Sequence, residues 1–239
     1  MCIRDRLQLI HAHGIKNVRV LDRTFNYNPR RAKELLRLFL EFHPDIRFHL
    51  EIHPALLSEE LKEELSLLPK GLLHLEAGIQ SLREPVLEKS RRMGKLSDAL
   101  DGLRFLCALP NMETHADLIA GLPLYHLHEI FEDVRTLAGY AAGEIQLESL
   151  KLLPGTEMRR RAEELGIKYS PLPPYEVLQT HEISVSELQT ARQLSRLLDG
   201  FYNTPAWQAL TRELILNDEQ FLHRFLAYLT KANLIDQPM

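Results

Sequence analysis

Short apolar runs alternate with amphipathic helical runs over the first 168 residues, and this alternation limits the folds open to the chain. We predict a strand in each apolar run, at Asn17–Asp22, Ile46–Ile52, Leu72–Ala77, Thr114–Ala120 and Ile145–Leu150. Helical spacing and helix-start signals predict helices between the strands, including Leu96–Leu109, His126–Tyr140 and Glu157–Leu165. Strands that alternate with helices are typical of an α/β fold with a parallel sheet.

Four of the predicted strands have one polar side, because every second residue of a strand points the same way. The polar positions are His49, Glu51 and His53; His74, Glu76 and Gly78; His115 and Asp117; and Gln146 and Glu148. A parallel sheet covered by helices is apolar on both faces, and burying uncompensated carboxylates would destabilise it. We therefore predict a partial TIM-like barrel, with helices outside, a wet interior and a ligand at the carboxyl ends of the strands.

After residue 168 the alternation of apolar runs and amphipathic helical runs ends. Tyr169–Tyr175 contains three prolines and predicts a linker, and Glu176–Thr180 predicts a short extra strand. From Ser184 onward the apolar spacing is helical. We predict three segments, with a barrel in 1–168, a linker in 169–183 and a helical appendage in 184–239.

Composition excludes several classes of protein. The net charge is −4, which does not indicate a nucleic-acid partner. The two cysteines, Cys2 and Cys107, cannot form a disulfide framework or a zinc ribbon. No signal peptide is visible, and no apolar run approaches the roughly 20 residues of a membrane span. We expect a cytoplasmic protein with no membrane partner.

The strand ends resemble those of the radical S-adenosylmethionine (SAM) superfamily, in the group whose barrel follows a cobalamin-binding domain. The segments that carry the resemblance are VRVLDRTFN, FHLEIHPALLSEEL, LHLEAGIQSL, HADLIAGLP and LKLLPGTEM. It covers residues 7 to 168, and the helical end is similar to a trailing domain of unknown function in one branch. The resemblance implies a (β/α)6 partial barrel, of which this chain shows strands two to six.

The resemblance also implies binding residues for SAM. The methionine amino group would lie at Asp22, Arg23, Thr24 and Phe25. The ribose and carboxylate would lie at Glu76, Gln80 and Ser81, and the adenine at Ile119, Gly121, Leu153 and Pro154. A small polar substrate or cofactor substrate would contact His49, His74, His115, Glu148 and Lys151. No catalytic residue is identified. A structural carboxylate at Glu76 and a simple turn at Gly121 stay open as alternatives.

The sequence departs from this family at its defining motif. A Cys-x3-Cys-x2-Cys loop holds the family's iron–sulfur cluster through three thiolates, and Cys2 and Cys107 do not have that spacing. We expect an N-terminally truncated fragment that is inactive alone, and residues 1–6 resemble a translated sequencing adapter. The parent enzyme would bind the cluster, SAM and, through an upstream domain, cobalamin. It would take electrons from a donor such as ferredoxin or flavodoxin.

Two other interpretations remain open. In a metal-dependent barrel hydrolase, the polar positions could bind zinc or manganese, through His49, Glu51, His53, His74, His115 and Asp117. No paired His-x-His follows an early strand, which disfavours this class. The third interpretation is a barrel remnant that binds nothing.

Overall fold

The computed structural model describes residues 2–235. The helices are α1 (Ile3–Ala12), α2 (Pro29–Leu40), α3 (Glu59–Leu67), α4 (Glu84–Lys89), α5 (Leu96–Ala108), α6 (Leu127–Gly139), α7 (Glu157–Arg160), α8 (Val185–Leu197), α9 (Pro205–Asn217) and α10 (Phe221–Lys231). The strands are β1 (Asn17–Arg19), β2 (Arg47–Ile52), β3 (Leu73–Gln80), β4 (Glu113–Ala120), β5 (Glu144–Ser149), β6 (Lys168–Tyr169) and β7 (Val177–Gln179). Within this range, the helices are all too short or too polar to cross a membrane.

The first five strands form a parallel, curled sheet in the order β1-β2-β3-β4-β5. His49 on β2 is in register with Arg19 on β1 and with His74 on β3. This sheet confirms the predicted α/β partial barrel, and the helices α8 to α10 confirm the helical region after it.

The predicted alternation of polar and apolar sides is confirmed on β2. Phe48, Leu50 and Ile52 are buried, whereas His49 and Glu51 are partly exposed. On β3 the same pattern begins at Leu75. A parallel strand covered on both faces would not show this alternation, so the polar side of β2 is accessible to solvent at His49 and Glu51.

Two predicted elements are shorter than expected. Strand β1 ends at Arg19 rather than Asp22, because the Asp22 N–H donates to the Val20 carbonyl at 2.9 Å and turns the chain. The predicted helix Glu157–Leu165 was wrong beyond Arg160, where α7 ends. Arg161 has φ −98° and ψ 11°, which are not helical values, and turns follow. Gly166, with φ +64°, closes these turns.

A short strand that the sequence pattern missed crosses the boundary between the predicted barrel and the predicted linker. Lys168 and Tyr169 form β6, which pairs antiparallel with β7. The strand predicted at Glu176–Thr180 is present as Val177–Gln179. The prolines at 171, 173 and 174 therefore lie in the turn of a hairpin.

The chain divides into two compact units. The organisation into three segments stays a prediction. The first unit contains the residues up to Gly78 together with Ser97–His115. Its core includes the stacked rings of Phe39 and Phe48, with centroids 4.0 Å apart. Gly102 of α5 lies against Pro54, where a β-carbon would come within 2.2 Å of the carbonyl oxygen.

The second unit contains Ile79–Leu96 and the residues from Ala116 onward. Asn203, which follows the π-helical turn Leu198–Tyr202, bonds to both backbone groups of Ile145 on β5. The Tyr202 hydroxyl donates to the Ala142 carbonyl at 2.9 Å. These bonds join the C-terminal helices to β5 within the second unit.

Candidate functional site

The first unit collects charged and imidazole side chains on the polar side of its strands. We call this set the histidine cluster, and its members are Arg19, Arg47, His49, His74, Glu76, Glu113 and His115. Each occupies a polar position in the two-residue alternation of its strand. The strand geometry therefore brings His49, His74 and His115 together, as expected for a polar ligand site.

The three imidazole rings contact one another. The centroids of His49 and His74 are 4.5 Å apart and the rings are stacked. His74 and His115 meet edge to face at 4.1 Å, and their Nε2 atoms are 2.5 Å apart. The Arg47 guanidinium, which can only donate, contacts His74 Nδ1 at 2.5 Å. This contact favours the tautomer of His74 that carries its proton on Nε2, where it faces His115.

Two carboxylates balance the charge of the cluster. Glu76, whose side chain is 12% exposed, accepts at Oε1 from Arg19 and lies 2.7 Å from His49 Nε2. Both contacts use the same oxygen, so Oε2 has no bonding partner among the described residues. Glu113 forms an ion pair with Arg47. Oε2 of Glu76 is thus an acceptor that a hydroxyl group could use.

A cavity of about 280 Å³ adjoins the cluster. It is lined by Asn17, Val18, Arg19, Arg47, His49 and His74. These residues belong to β1 and to the amino-terminal halves of β2 and β3. The cavity therefore lies nearer the amino ends of these strands than the ligand position we predicted.

In the first predicted SAM segment, Asp22–Phe25, some groups are bonded or packed within the protein and others are exposed. Asp22 accepts from Arg31 at 2.6 Å and from the Thr24 N–H at 3.3 Å. Arg23 is exposed. The Phe25 ring is 2% exposed and stacks on Phe39, so it is part of the core and could offer a ligand only its backbone.

Gln80 and Ser81 are predicted SAM residues that belong to the second unit. Gln80 has φ +72°, a conformation that non-glycine residues rarely adopt. Ser81 is fully buried and its Oγ accepts from the Arg83 N–H at 3.1 Å. Its hydroxyl also lies 3.5 Å from an oxygen of Asp133. Ser81 therefore has a role inside the protein rather than a free hydroxyl for a ligand.

Asp133 of α6 is the centre of a buried network that the sequence interpretation missed. Its carboxylate accepts from the Tyr125 hydroxyl at 2.6 Å, the Leu82 N–H at 2.8 Å and Arg83 Nε at 2.9 Å. Desolvation raises the pKa of the Asp133 carboxyl, although these donors favour the charged form. Asp133 stands on the apolar helical face of Ile130, and one acid on such a face was the signal available in the sequence.

The remaining predicted residues lie in the second unit. Ile119 is partly exposed on β4. Gly121 has φ +91°, and a β-carbon there would lie 3.3 Å from Val177. Leu153 and Pro154 are exposed. Glu148 and Lys151 form an exposed ion pair with a 3.4 Å separation, as neighbours three apart in sequence.

The cysteines do not fit an iron–sulfur cluster. The sequence has two, and a cluster of this family's type takes three thiolates. Cys2 is exposed before α1. Burial raises the pKa of the Cys107 thiol to about 11, which disfavours the thiolate that binds iron.

One family model matches the chain, over residues 163–238, and it is described as "Protein of unknown function (DUF4080)". No curated protein matches the sequence. The chain is therefore similar to a family whose role is itself unassigned, in the hairpin and the helices that follow it.

Several solved structures share the fold of the chain. The radical SAM methyltransferase TsrM from Kitasatospora setae, with tryptophan and the SAM analogue aza-SAM bound, is 20% identical with a TM-score of 0.57. The match covers 70% of this chain and 35% of that one. Another TsrM structure, with cobalamin and a [4Fe-4S] cluster, is also 20% identical with a TM-score of 0.57, over 77% and 39% of the chains.

An archaeal protein has the same fold. Elp3 from Methanocaldococcus infernus is 14% identical with a TM-score of 0.54, over 85% of this chain and 50% of that one. This chain thus spans half or less of the length of each of these structures. At these identities the likeness establishes the fold, which is the one found in radical SAM enzymes.

Proposed function

We propose that the chain is the SAM-binding part of a radical SAM enzyme that acts on a small polar substrate. The observation that carries the proposal is Glu76, a carboxylate on the polar side of β3 whose Oε2 is open while its Oε1 is held by Arg19 and His49. A carboxylate in that setting suits a ribose diol, as in nucleotide sites. The shared fold with TsrM and Elp3 supports the class of enzyme.

The proposal gives the other polar residues separate tasks. Asp22 would accept from the methionine ammonium. His49, His74 and His115 would bind the polar substrate. SAM, when bound and reductively cleaved, supplies the radical chemistry of such enzymes.

The misfit of the cysteines adds a second part to the proposal. With Cys107 partly buried and a total of two cysteines, the cluster thiolates would come from sequence outside this chain. We also propose that the parent enzyme is cytoplasmic, has a cobalamin domain, and takes electrons from a ferredoxin or flavodoxin. This chain alone would be inactive and would bind no iron.

The experiment is a calorimetric titration of SAM into the chain and into its Glu76→Gln variant. The amide keeps the shape of the side chain but loses its charge, so we expect SAM affinity to fall about tenfold, in line with a lost charge-assisted hydrogen bond. Glu113→Gln is the matched control, because this substitution removes the same charge from the same cluster at a side chain that is 61% exposed. Equal SAM affinity in Glu76→Gln and wild type would remove Glu76 from the site.

A metal-dependent barrel hydrolase is a second candidate, and the geometry of His74 and His115 favours it. The two imidazole nitrogens, now 2.5 Å apart, could both bind one zinc ion if they moved to about 3.3 Å apart, the separation set by zinc–nitrogen bonds of about 2.0–2.1 Å in a tetrahedral site. The contact between Arg47 and His74 Nδ1 opposes this, because a guanidinium can only donate and so favours a proton on Nε2, the nitrogen that would bind metal. One zinc per chain, lost in His74→Gln, together with no SAM binding, would favour the hydrolase.

A further inference from the structure

A cavity of about 660 Å³ lies within the second unit, and none of its lining residues has been given a role above. Its lining residues are Arg159, Arg160, Ala162, Glu163, Gly166, Ile167, Lys168, Tyr169, Gln179, Thr180 and His181. This volume lies within the range of about 300–1,000 Å³ that is usual for small-molecule sites. All but three of these residues fall in the segment matched by the family of unknown function.

Three cations line this cavity without a carboxylate partner in the described part of the chain. Arg159 and Arg160 donate only to backbone carbonyls, those of Leu152 at 3.0 Å and Gly155 at 2.9 Å. Lys168 makes no side-chain hydrogen bond or ion pair there. Glu163 is the acidic residue of the lining, so the wall has a positive balance.

Arg159 is held in a fixed orientation. Its guanidinium carbon lies 5.0 Å from the ring centroid of Tyr169 and 4.8 Å from that of Tyr175. Stacking of this kind leaves the edge of the planar group available, and a guanidinium edge matches the oxygens of phosphate or carboxylate. Folding has therefore already restricted the side chain of Arg159, so binding an anion would cost less conformational entropy than binding by a mobile arginine.

His181 is positioned on the same wall by Gly166. A β-carbon at Gly166 would lie 2.0 Å from the His181 ring, so any larger residue would displace the imidazole. The positive φ of Gly166 adds a second reason for glycine at this position. The turn after α7 and the β6–β7 hairpin thus place cationic and imidazole groups around one space.

We propose that this cavity binds a small organic polyanion, whose charges sit on phosphate or carboxylate oxygens. An anion would offset the mutual repulsion of Arg159, Arg160 and Lys168, and the cavity has room for a metabolite-sized molecule. The proposal does not depend on SAM binding, since its residues are different ones. It gives a binding role to the segment matched by the family of unknown function.

The test measures binding of diphosphate and of citrate to the whole chain by calorimetry, with a neutral disaccharide as the uncharged probe. We expect both anions to bind and the disaccharide not to bind. Lys168→Gln should weaken the anions about two- to fivefold, since an exposed charge contributes modestly. Arg160→Gln combined with Lys168→Gln should weaken them further. A stronger response to diphosphate than to citrate would identify phosphate as the preferred group.

Lys95→Gln is the matched control, because it removes one positive charge from an exposed position of the same unit outside the cavity. It should leave anion affinity unchanged, and thermal unfolding without ligand should show all variants folded. The proposal is overturned if wild type binds neither anion, or if Lys95→Gln weakens binding as much as Lys168→Gln. Tighter binding of single-stranded RNA, lost in the same cavity variants, would overturn the small-molecule class.

Discussion

Glu76 and Asp133 are carboxylates of the two different units, and their surroundings are opposite in kind. Glu76 has both of its contacts on one oxygen, and Arg19 and His49, which make them, line a cavity. Asp133 is 1% exposed and accepts from a hydroxyl, a backbone N–H and a guanidinium. The first carboxylate retains an open acceptor, and the second has its acceptors filled from within the protein.

This difference distinguishes a carboxylate that can bind a ligand, Glu76, from a carboxylate that stabilises the fold, Asp133. A buried carboxylate is tolerated only when hydrogen bonds replace its lost hydration. The donors to Asp133 include Leu82 and Arg83, so the network fixes the turn that follows β3. Gln80, the last residue of β3, directly precedes the turn that this network holds in place.

Replacing the two carboxylates in turn tests this comparison with the largest expected effect. Asp133→Ala should lower the free energy of unfolding by about 3–5 kcal/mol, because it leaves Tyr125 and Arg83 without their acceptor. Glu76→Ala should lower it by about 0.5–1.5 kcal/mol, because its partners keep access to water. Urea denaturation followed by circular dichroism measures both.

The control for this pair is Glu132→Ala. Glu132 is beside Asp133 on α6, also contacts Arg83, and has a side chain that is 60% exposed. Its loss should change the free energy of unfolding by about 0.5 kcal/mol or less. Equal destabilisation by Asp133→Ala and Glu76→Ala would contradict the distinction between the two sites.

Removing single donors sharpens the comparison with smaller effects. Tyr125→Phe deletes the hydroxyl that donates to Asp133, and we expect a loss of about 1.5–3 kcal/mol for a buried bond to a charged group. Arg19→Gln removes the donor to Glu76, and the loss should stay below about 1 kcal/mol because Arg19 is 56% exposed. Chemical denaturation measures the free energy of unfolding of both variants. A larger loss for Arg19→Gln than for Tyr125→Phe would count against an open site at Glu76.

Local periodicity was sufficient to predict the five strands of the parallel sheet and the three histidines. His49, His74 and His115 were found because each occupies a polar position in a two-residue alternation. Glu113 obeys the same alternation at the first residue of β4, and was missed because the predicted strand began one residue after it. Arg47 lies inside the predicted strand Ile46–Ile52, but its polar position was not recognised.

Features that depend on distant contacts could not be predicted in this way. The bond between Asp133 and the Leu82 N–H joins residues 51 apart in sequence. Strand β6 was hidden because Pro171, Pro173 and Pro174 resemble a linker, whereas pairing with β7 decides its conformation. Local propensity is a weak guide where tertiary pairing competes with it.

The pH dependence of stability gives the finest test of the comparison. Desolvation raises the pKa of the Asp133 carboxyl above its ordinary value of 3.8, so the native state holds this proton more tightly than the unfolded chain does. The stabilisation is fully present below 3.8 and is lost as the pH rises through the native pKa. Asp133→Asn cannot titrate, so the free energy of unfolding of wild type relative to Asp133→Asn should fall as the pH rises from about 4 and then level off. Urea denaturation of both proteins between about pH 4 and pH 7 measures this difference, and the shared titration of all other groups cancels. A difference that instead grows with pH would mean that the donors lower the pKa, and that the ionised carboxylate stabilises the second unit.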